Sequence, residues 1–295
     1  MIFVTIIFFG SDPWFSPPVL EALLKAGHEV PVVITKGEAM NKFKTIQAKT
    51  EEDILRFTIY GLRFTNGIRP DAIVLAAFGP PFLPAEVLSW PKYGCLNVHA
   101  SLLPRWRGAS PVFGAIANGD KETGVSIMKM TEEIDLGPVL GQESATILQG
   151  CDPSYDNRES LTRRLGTLGG ELIVETLKKL ESGQAKETKQ PAESPTPYTH
   201  RLTKDLGRVD WKKSPEEIER FIRAVTPWPG AVTSARFKIQ DSRFMIQDLK
   251  ILKAHLEESS TINHQPLTID LVQLPGKNPI SWKAFLVGHP NAVLL

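Results

Sequence analysis

At 295 residues, 42% hydrophobic and 23% charged, the chain is long enough for two domains and can bury a core without covalent staples. Its two cysteines, Cys95 and Cys151, form no C-x-x-C pair, so a disulfide framework and a zinc site are both unsupported and a reducing compartment fits best. The net charge of +1 is uneven: residues 1–183 carry 18 Lys/Arg against 21 Asp/Glu, and the remainder 16 against 12, which permits a polyanionic partner on the C-terminal part but is equally the mark of a solvated mixed surface.

The apolar start, Met1 to Phe9, has no basic leader and runs into Gly10-Ser11-Asp12-Pro13 rather than a small-residue cleavage site. It reads as a buried strand, Ile2–Phe9. No stretch approaches the roughly 18 uncharged apolar residues of a membrane helix. A soluble, cytoplasmic protein without a membrane partner is the expectation.

Ser16-Pro17-Pro18 then opens a helix through Leu20, Leu23 and Leu24 that ends near Gly27. Strands follow at Val30–Thr35, Asp71–Phe78, Gly94–Ala100, Thr123–Met130 and Val139–Ile147, with helices at Glu51–Tyr60 and Pro111–Asn118. Asn157–Leu180 is a long amphipathic helix with Leu161, Leu165, Leu168, Leu172 and Leu177 on one side. Alternating strands and helices predict an α/β, Rossmann-like, mostly parallel sheet over residues 1–183, with ligands at the carboxyl ends of its strands.

Residues 184–203, including Gln190-Pro191-Ala192-Glu193-Ser194-Pro195-Thr196-Pro197, have the composition of an extended linker. Beyond it, residues 204–295 form a small, mainly β domain. It contains one helix, Ser214–Val225, capped by Ser214 with Pro215 first in the helix, and strands at Ala231–Ile239, Phe244–Ala254 and Leu267–Leu274.

Gly10-Ser11-Asp12-Pro13-Trp14-Phe15 lacks the glycines of a dinucleotide turn, and Trp14 and Phe15 fill the space a pyrophosphate needs. There is no P-loop, so neither NAD nor ATP is expected. Within Gly94-Cys95-Leu96-Asn97-Val98-His99-Ala100-Ser101, Asn97 and His99 are two apart on a strand and share a face. Asparagine offers an amide donor to an oxyanion and histidine a base that titrates near neutrality; Asp135, in the loop after Thr123–Met130, offers a carboxylate. On spacing alone the pair reads first as structural polar residues at a strand end, since one polar pair on a strand is a weak signal.

The run Asn97-Val98-His99-Ala100-Ser101-Leu102-Leu103-Pro104-Arg105-Trp106-Arg107-Gly108-Ala109-Ser110-Pro111 resembles the signature of the methionyl-tRNA formyltransferase family. Similar blocks occur in collinear order at Phe9-Gly10-Ser11, Ala76-Ala77-Phe78-Gly79, Thr123–Met130, Ile134–Leu140, Gly207–Trp211, Arg223–Gly230 and Leu274–Lys277. The resemblance implies formyl transfer from 10-formyltetrahydrofolate, as co-substrate, to the amino group of initiator methionyl-tRNA, with no metal.

The same resemblance implies a catalytic centre of Asn97, His99 and Asp135. Asn97 donates to the oxyanion, His99 takes a proton from the amine or shares the oxyanion duty, and Asp135 holds His99 and a water that protonates the departing nitrogen. Ala77, Phe78, Gly79, Ser101, Leu102, Leu103, Pro104 and Gly137 are the expected folate contacts. Lys36, Lys42, Lys44, Arg105 and Arg107 are the expected tRNA contacts, and a monomer is expected. A formyltransferase acting on a small amine such as an amino-sugar nucleotide, or an impaired relative that only binds, are the alternatives.

Two departures bear on the acceptor and a third on the geometry of the Asp135 loop. The loop Lys36–Lys49 is shorter than is usual in the family and lacks its arginine-glycine stretch, although Lys36, Lys42, Lys44 and Lys49 keep it basic. Only a polar, acidic connection separates Ala254 from Leu267, which predicts an OB-like barrel short of a strand pair. Glu133 replaces a glycine common in the Asp135 loop.

Overall fold

A computed structural model describes residues 3–36, 38, 40–48, 50, 52–54, 69–80, 83–149, 155–238, 244–257 and 266–295. The chain divides into two compact units. The first comprises Met1–Pro111, Glu122–Thr146 and Thr162–His200; the second comprises Val112–Lys121, Ile147–Leu161 and Arg201–Leu295.

The first unit is built on a seven-stranded sheet in the order β3-β2-β1-β4-β5-β6-β7. Its strands are β1 Thr5–Gly10, β2 Glu29–Thr35, β3 Ile46–Gln47, β4 Ala72–Ala76, β5 Cys95–His99, β6 Glu122–Lys129 and β7 Val139–Thr146. The strands from β3 to β5 run parallel, and β6 and β7 are antiparallel to their neighbours. Phe8 and Phe9 on β1 are both fully buried, as a strand covered on two faces requires. Helix α1, Ser16–Lys25, buries Val19, Leu20 and Leu23; the Ser16 hydroxyl donates to the Ala76 carbonyl at 2.7 Å and ties the helix start to the end of β4.

Of the helix predicted over Glu51–Tyr60, residues 52–54 are helical and the rest lies outside the described residues. Helix α2, Ala85–Leu88, and the two-residue β3 carry too short a pattern to be read from sequence. Helix α3, Pro111–Ala117, belongs almost wholly to the second unit, and α4, Arg158–Glu181, contributes its first turn there and the remainder to the first unit.

These units differ from the boundaries expected at 183 and 203. Residues 184–200 remain extended, as their proline content demands, but group with the first unit through side-chain bonds described below. Val112–Lys121 and Ile147–Leu161 group with the second, because Phe113 packs against Ile218, Ile222 and Val225 and the Arg223 guanidinium donates to the Asp156 carbonyl at 2.9 Å.

In the second unit, Ser214 caps α5, Pro215–Val225, through a reciprocal pair: its hydroxyl accepts from the Glu217 N–H at 3.2 Å, and the Glu217 carboxylate accepts from the Ser214 N–H at 3.0 Å. The helix packs on an antiparallel five-stranded sheet of order β11-β10-β9-β8-β12. Its strands are β8 Ala231–Lys238, β9 Phe244–Leu256, β10 Leu267–Gln273, β11 Ile280–Ser281 and β12 Val293–Leu294, with α6, Trp282–Gly288, between the last two. Among the described residues no ladder joins β11 to β12, so the OB-like barrel is an open sheet there. Also among them, no helix is long and apolar enough to cross a membrane.

His28 enters β2 buried, its Nδ1 accepting the Val4 N–H at 3.4 Å. Burial pushes its pKa below 6.5, Glu181 opposes that shift and Lys178 adds to it. The folded state therefore keeps His28 neutral where the unfolded chain already binds a proton, and stability falls as pH drops below about 6.5. In urea unfolding between pH 7.5 and 5.5, His28→Gln should show a shallower loss than the parent; equal slopes would show that His28 is not a source of that loss.

Candidate active site

Strand β5 pairs with β4 in parallel, Ala76 beside Val98, so the residues following both strands emerge at one end of the sheet. Asn97 and His99 alternate with Val98 and share a face of β5. The His99 ring is buried, its Nε2 3.2 Å from the Trp106 carbonyl. A carbonyl can only accept, so Nε2 carries a proton, and in the singly protonated ring Nδ1 is the nitrogen with the free lone pair. Nδ1 lies 3.8 Å from Asp135 Oδ1. That is too long for a hydrogen bond but within reach of an ion pair once Nδ1 is protonated. The expected grip of Asp135 on the ring is thus not a direct bond; the Trp106 carbonyl fixes the ring instead.

Asp135 is itself held on both its ends. Its Oδ2 accepts the Gly108 N–H at 2.7 Å, and its backbone stands at φ 54°, a left-handed value that a side chain rarely adopts without support. The support is Gln190, whose amide nitrogen donates to the carbonyls of Asp135 at 2.9 Å and Gly137 at 2.7 Å. The Gln190 carbonyl oxygen accepts from Arg107 Nε and Nη2 at 3.3 and 3.0 Å. Arg107 is 0% exposed and also donates to the carbonyls of Ala192 at 3.0 Å and Pro191 at 2.7 Å. Thr196 Oγ1 accepts the Trp106 N–H at 2.7 Å, and the Thr199 N–H donates to the Arg107 carbonyl at 2.7 Å.

Two of the expected tRNA contacts, Arg107 and Lys36, are engaged within the fold. Arg107 has no exposed surface and its donors are committed to residues 190–192. The Lys36 ammonium lies 3.9 Å over the Phe78 ring and donates to the carbonyls of Phe78 (3.0 Å), Gly79 (2.7 Å) and Pro80, which puts it at the end of β4 rather than on a free basic loop. Lys42 pairs with Glu21, Lys44 is exposed, and Arg105 stacks over Trp106 at 5.6 Å. Lys49 lies outside the described residues.

The expected folate contacts separate into wall and surface. Ser101 is buried, its hydroxyl donating to the Arg105 carbonyl at 2.6 Å; Leu103 packs with Met128 and Val139; Phe78 meets the Phe9 ring edge-on at 5.1 Å. Their side chains shape the site from behind. Ala77 and Gly79 are exposed at φ 49° and 68°, and Leu102 and Pro104 are half-buried, which leaves backbone and small apolar surface accessible. A cavity of about 230 Å³ between Leu103-Pro104, β7 and residues 188–191 includes none of Asn97, His99 or Asp135 in its lining.

Sequence reasoning missed Gln190, Thr196 and Thr199, which lay in or beside a stretch read as linker. Their only signal is that hydrogen-bonding side chains recur among the prolines.

Residues 62–177 match the family model described as formyl transferase, and residues 201–290 that of the formyl transferase C-terminal domain. The methionyl-tRNA formyltransferase of Gluconobacter oxydans (strain 621H) is 40% identical over 311 residues, covering 97% of each chain. That of Caldanaerobacter subterraneus subsp. tengcongensis is 33% identical, covering 98% of this chain and 99% of the other. Among solved folds, HypX from Aquifex aeolicus in complex with tetrahydrofolic acid superposes with a TM-score of 0.61 at 17% identity, over 96% of this chain and 46% of that one. Methionyl-tRNA formyltransferase from Clostridium thermocellum does so at 0.53 and 17% identity, over 90% and 98%.

A Cβ on Gly137 would stand 1.8 Å from the Lys129 carbonyl oxygen, so the Asp135 loop closes only over a glycine. Gly137→Ala should cost at least ~1 kcal/mol of stability and displace the carboxylate. Calorimetry and a turnover assay check this, and unchanged values in both would refute it.

Proposed function

Since the chain belongs to the methionyl-tRNA formyltransferase family, we propose that Asn97, His99 and Asp135 are the residues with which it carries out that family's reaction. The enzyme moves a formyl group from 10-formyltetrahydrofolate to the amino group of methionyl-tRNA, the initiator species in our reading. The observation that carries the residue assignment is His99 Nδ1, the basic nitrogen of a ring fixed by a carbonyl, facing a carboxylate at 3.8 Å and sharing a strand face with an asparagine amide.

10-Formyltetrahydrofolate supplies an activated formyl carbon. Asn97 donates its amide N–H to the formyl oxygen as negative charge builds there. His99 Nδ1 takes the proton that the attacking ammonium must lose, and Asp135 stabilises the imidazolium so formed. A water held by Asp135 returns a proton to the departing folate nitrogen. Ala77, Gly79, Leu102, Pro104 and the backbone near Gly137 line the folate side. The first unit, which includes residues 184–200, carries this chemistry, and the second unit holds the tRNA.

On the second unit, cross-strand register sets Lys238 opposite Phe244 and Arg236 opposite Ile246. Phe244 and Ile246 are 55% and 62% exposed, and the Arg236 and Lys238 cations lie 5.0 and 5.5 Å from the Phe244 ring with no carboxylate paired to either among the described residues. Unpaired cations beside an exposed ring suit a phosphate backbone. We assign the protein to the cytoplasm as a monomer of 32.7 kDa; twice that mass by light scattering would overturn the monomer.

Asn97→Ala should lower turnover ~10²–10³-fold with the fold intact, measured with methionyl-tRNA against uncharged tRNA and an amino-sugar nucleotide. Near-normal turnover would defeat the catalytic assignment, and preference for the sugar would defeat the acceptor. Arg236→Ala and Lys238→Ala should each flatten the dependence of log KM for tRNA on log salt by roughly 0.7–0.9; an unchanged slope would remove that surface from the tRNA path.

A further inference from the structure

We propose that Gln190 is a positioning residue for Asp135: it carries the constraint of the buried Arg107 guanidinium to the loop that presents the carboxylate. The inference rests on the catalytic reading of Asp135. Among the described residues, Gln190 is the single side chain that bonds Arg107 on one end and the Asp135 loop on the other. Its oxygen accepts two N–H groups of Arg107, at 3.3 and 3.0 Å, and its nitrogen donates to the carbonyls of Asp135 and Gly137, at 2.9 and 2.7 Å. All four contacts are sealed from water, Gln190 being 7% exposed and Arg107 0%.

The amide is oriented without ambiguity. Arg107 can only donate and backbone carbonyls can only accept, so the oxygen must face the arginine and the nitrogen the loop. A flipped amide would leave four buried groups without partners.

The loop needs this hold because Asp135 occupies the left-handed region at φ 54°. Relaxation of that backbone would swing the carboxylate away from Gly108 N–H and from His99 Nδ1, now at 2.7 and 3.8 Å. A displacement of about 1 Å in a catalytic group costs up to ~10²-fold in rate.

Gln190→Glu separates position from stability. The carboxylate still accepts from Arg107, now as an ion pair, but cannot donate to either carbonyl. In steady-state assays with 10-formyltetrahydrofolate and methionyl-tRNA, we expect kcat to fall roughly 10–100-fold, with both KM values within about twofold and the thermal midpoint held. Combined with Asp135→Asn, it should slow turnover no further than Asp135→Asn alone, because the two act as one unit. Should Gln190→Glu not fold, Gln190→Asn, one carbon short of the loop, is read in the same way.

A kcat within about twofold of the parent would overturn the proposal, as would losses that multiply in the double variant, or a kcat that falls only in step with the thermal midpoint. Full turnover by Asp135→Asn alone would bring down the catalytic reading and the positioning role with it. Multiplied losses would bring down only the role of Gln190.

Discussion

A guanidinium withdrawn from water needs its hydrogen-bond donors satisfied wherever the chain can satisfy them, and in this protein that need organises the surroundings of Asn97, His99 and Asp135. Arg107 has no carboxylate partner among the described residues. Its acceptors are neutral: the Gln190 side-chain oxygen and the carbonyls of Pro191 and Ala192. Burying a charge without such partners costs several kcal/mol, and arginine, more weakly hydrated than lysine, tolerates the environment best. Residues 190–192 are accordingly placed by the turn that carries Trp106, Arg107 and Gly108. The same turn supplies the carbonyl that fixes His99 and the N–H that holds Asp135.

The sheet provides the other half of the arrangement. Its change from parallel to antiparallel falls at β5, the strand carrying Asn97 and His99. On the parallel side, β4 delivers Ala77 and Gly79 next to the end of β5. On the antiparallel side, Ser126 lies opposite His99 and acts as a junction. Its hydroxyl donates to the Ser101 carbonyl at 2.6 Å and accepts from the Leu103 N–H at 2.9 Å and the Gln142 amide at 2.8 Å. The backbone of the Ser101–Pro104 segment is therefore set by a side-chain hydroxyl of a neighbouring strand, and its apolar side chains follow from that.

What the sequence made legible follows the physics of each feature. Apolar runs such as those of β1 and β4 declare buried strands, and Ser214-Pro215-Glu216-Glu217 announces a helix start with the cap that was found. Asn97 and His99 were visible as a pair because strand periodicity is local. Arg107 and Gln190 were not, because an arginine among family motifs reads as a ligand contact and a glutamine among prolines reads as a spacer. Their roles exist only through partners more than 50 residues away. Elements over residues 280–294 are too short to leave a periodic trace.

Sequence separation has a further meaning for how the site comes into being. The hydrogen bonds enclosing it span 55 residues from Asp135 to Gln190, 83 from Arg107 to Gln190 and 90 from Trp106 to Thr196. Contacts of such range form late, since long loops must close before any bond rewards the closure. A nascent chain that has been synthesised only to the end of α4 already contains Asn97, His99, Asp135 and the Trp106–Gly108 turn that touches them, but not Gln190 and its neighbours, which fasten that turn and the Asp135 loop. The order of synthesis thus places competence for catalysis after formation of the sheet, with the last fastening supplied by the stretch that leads into the second unit.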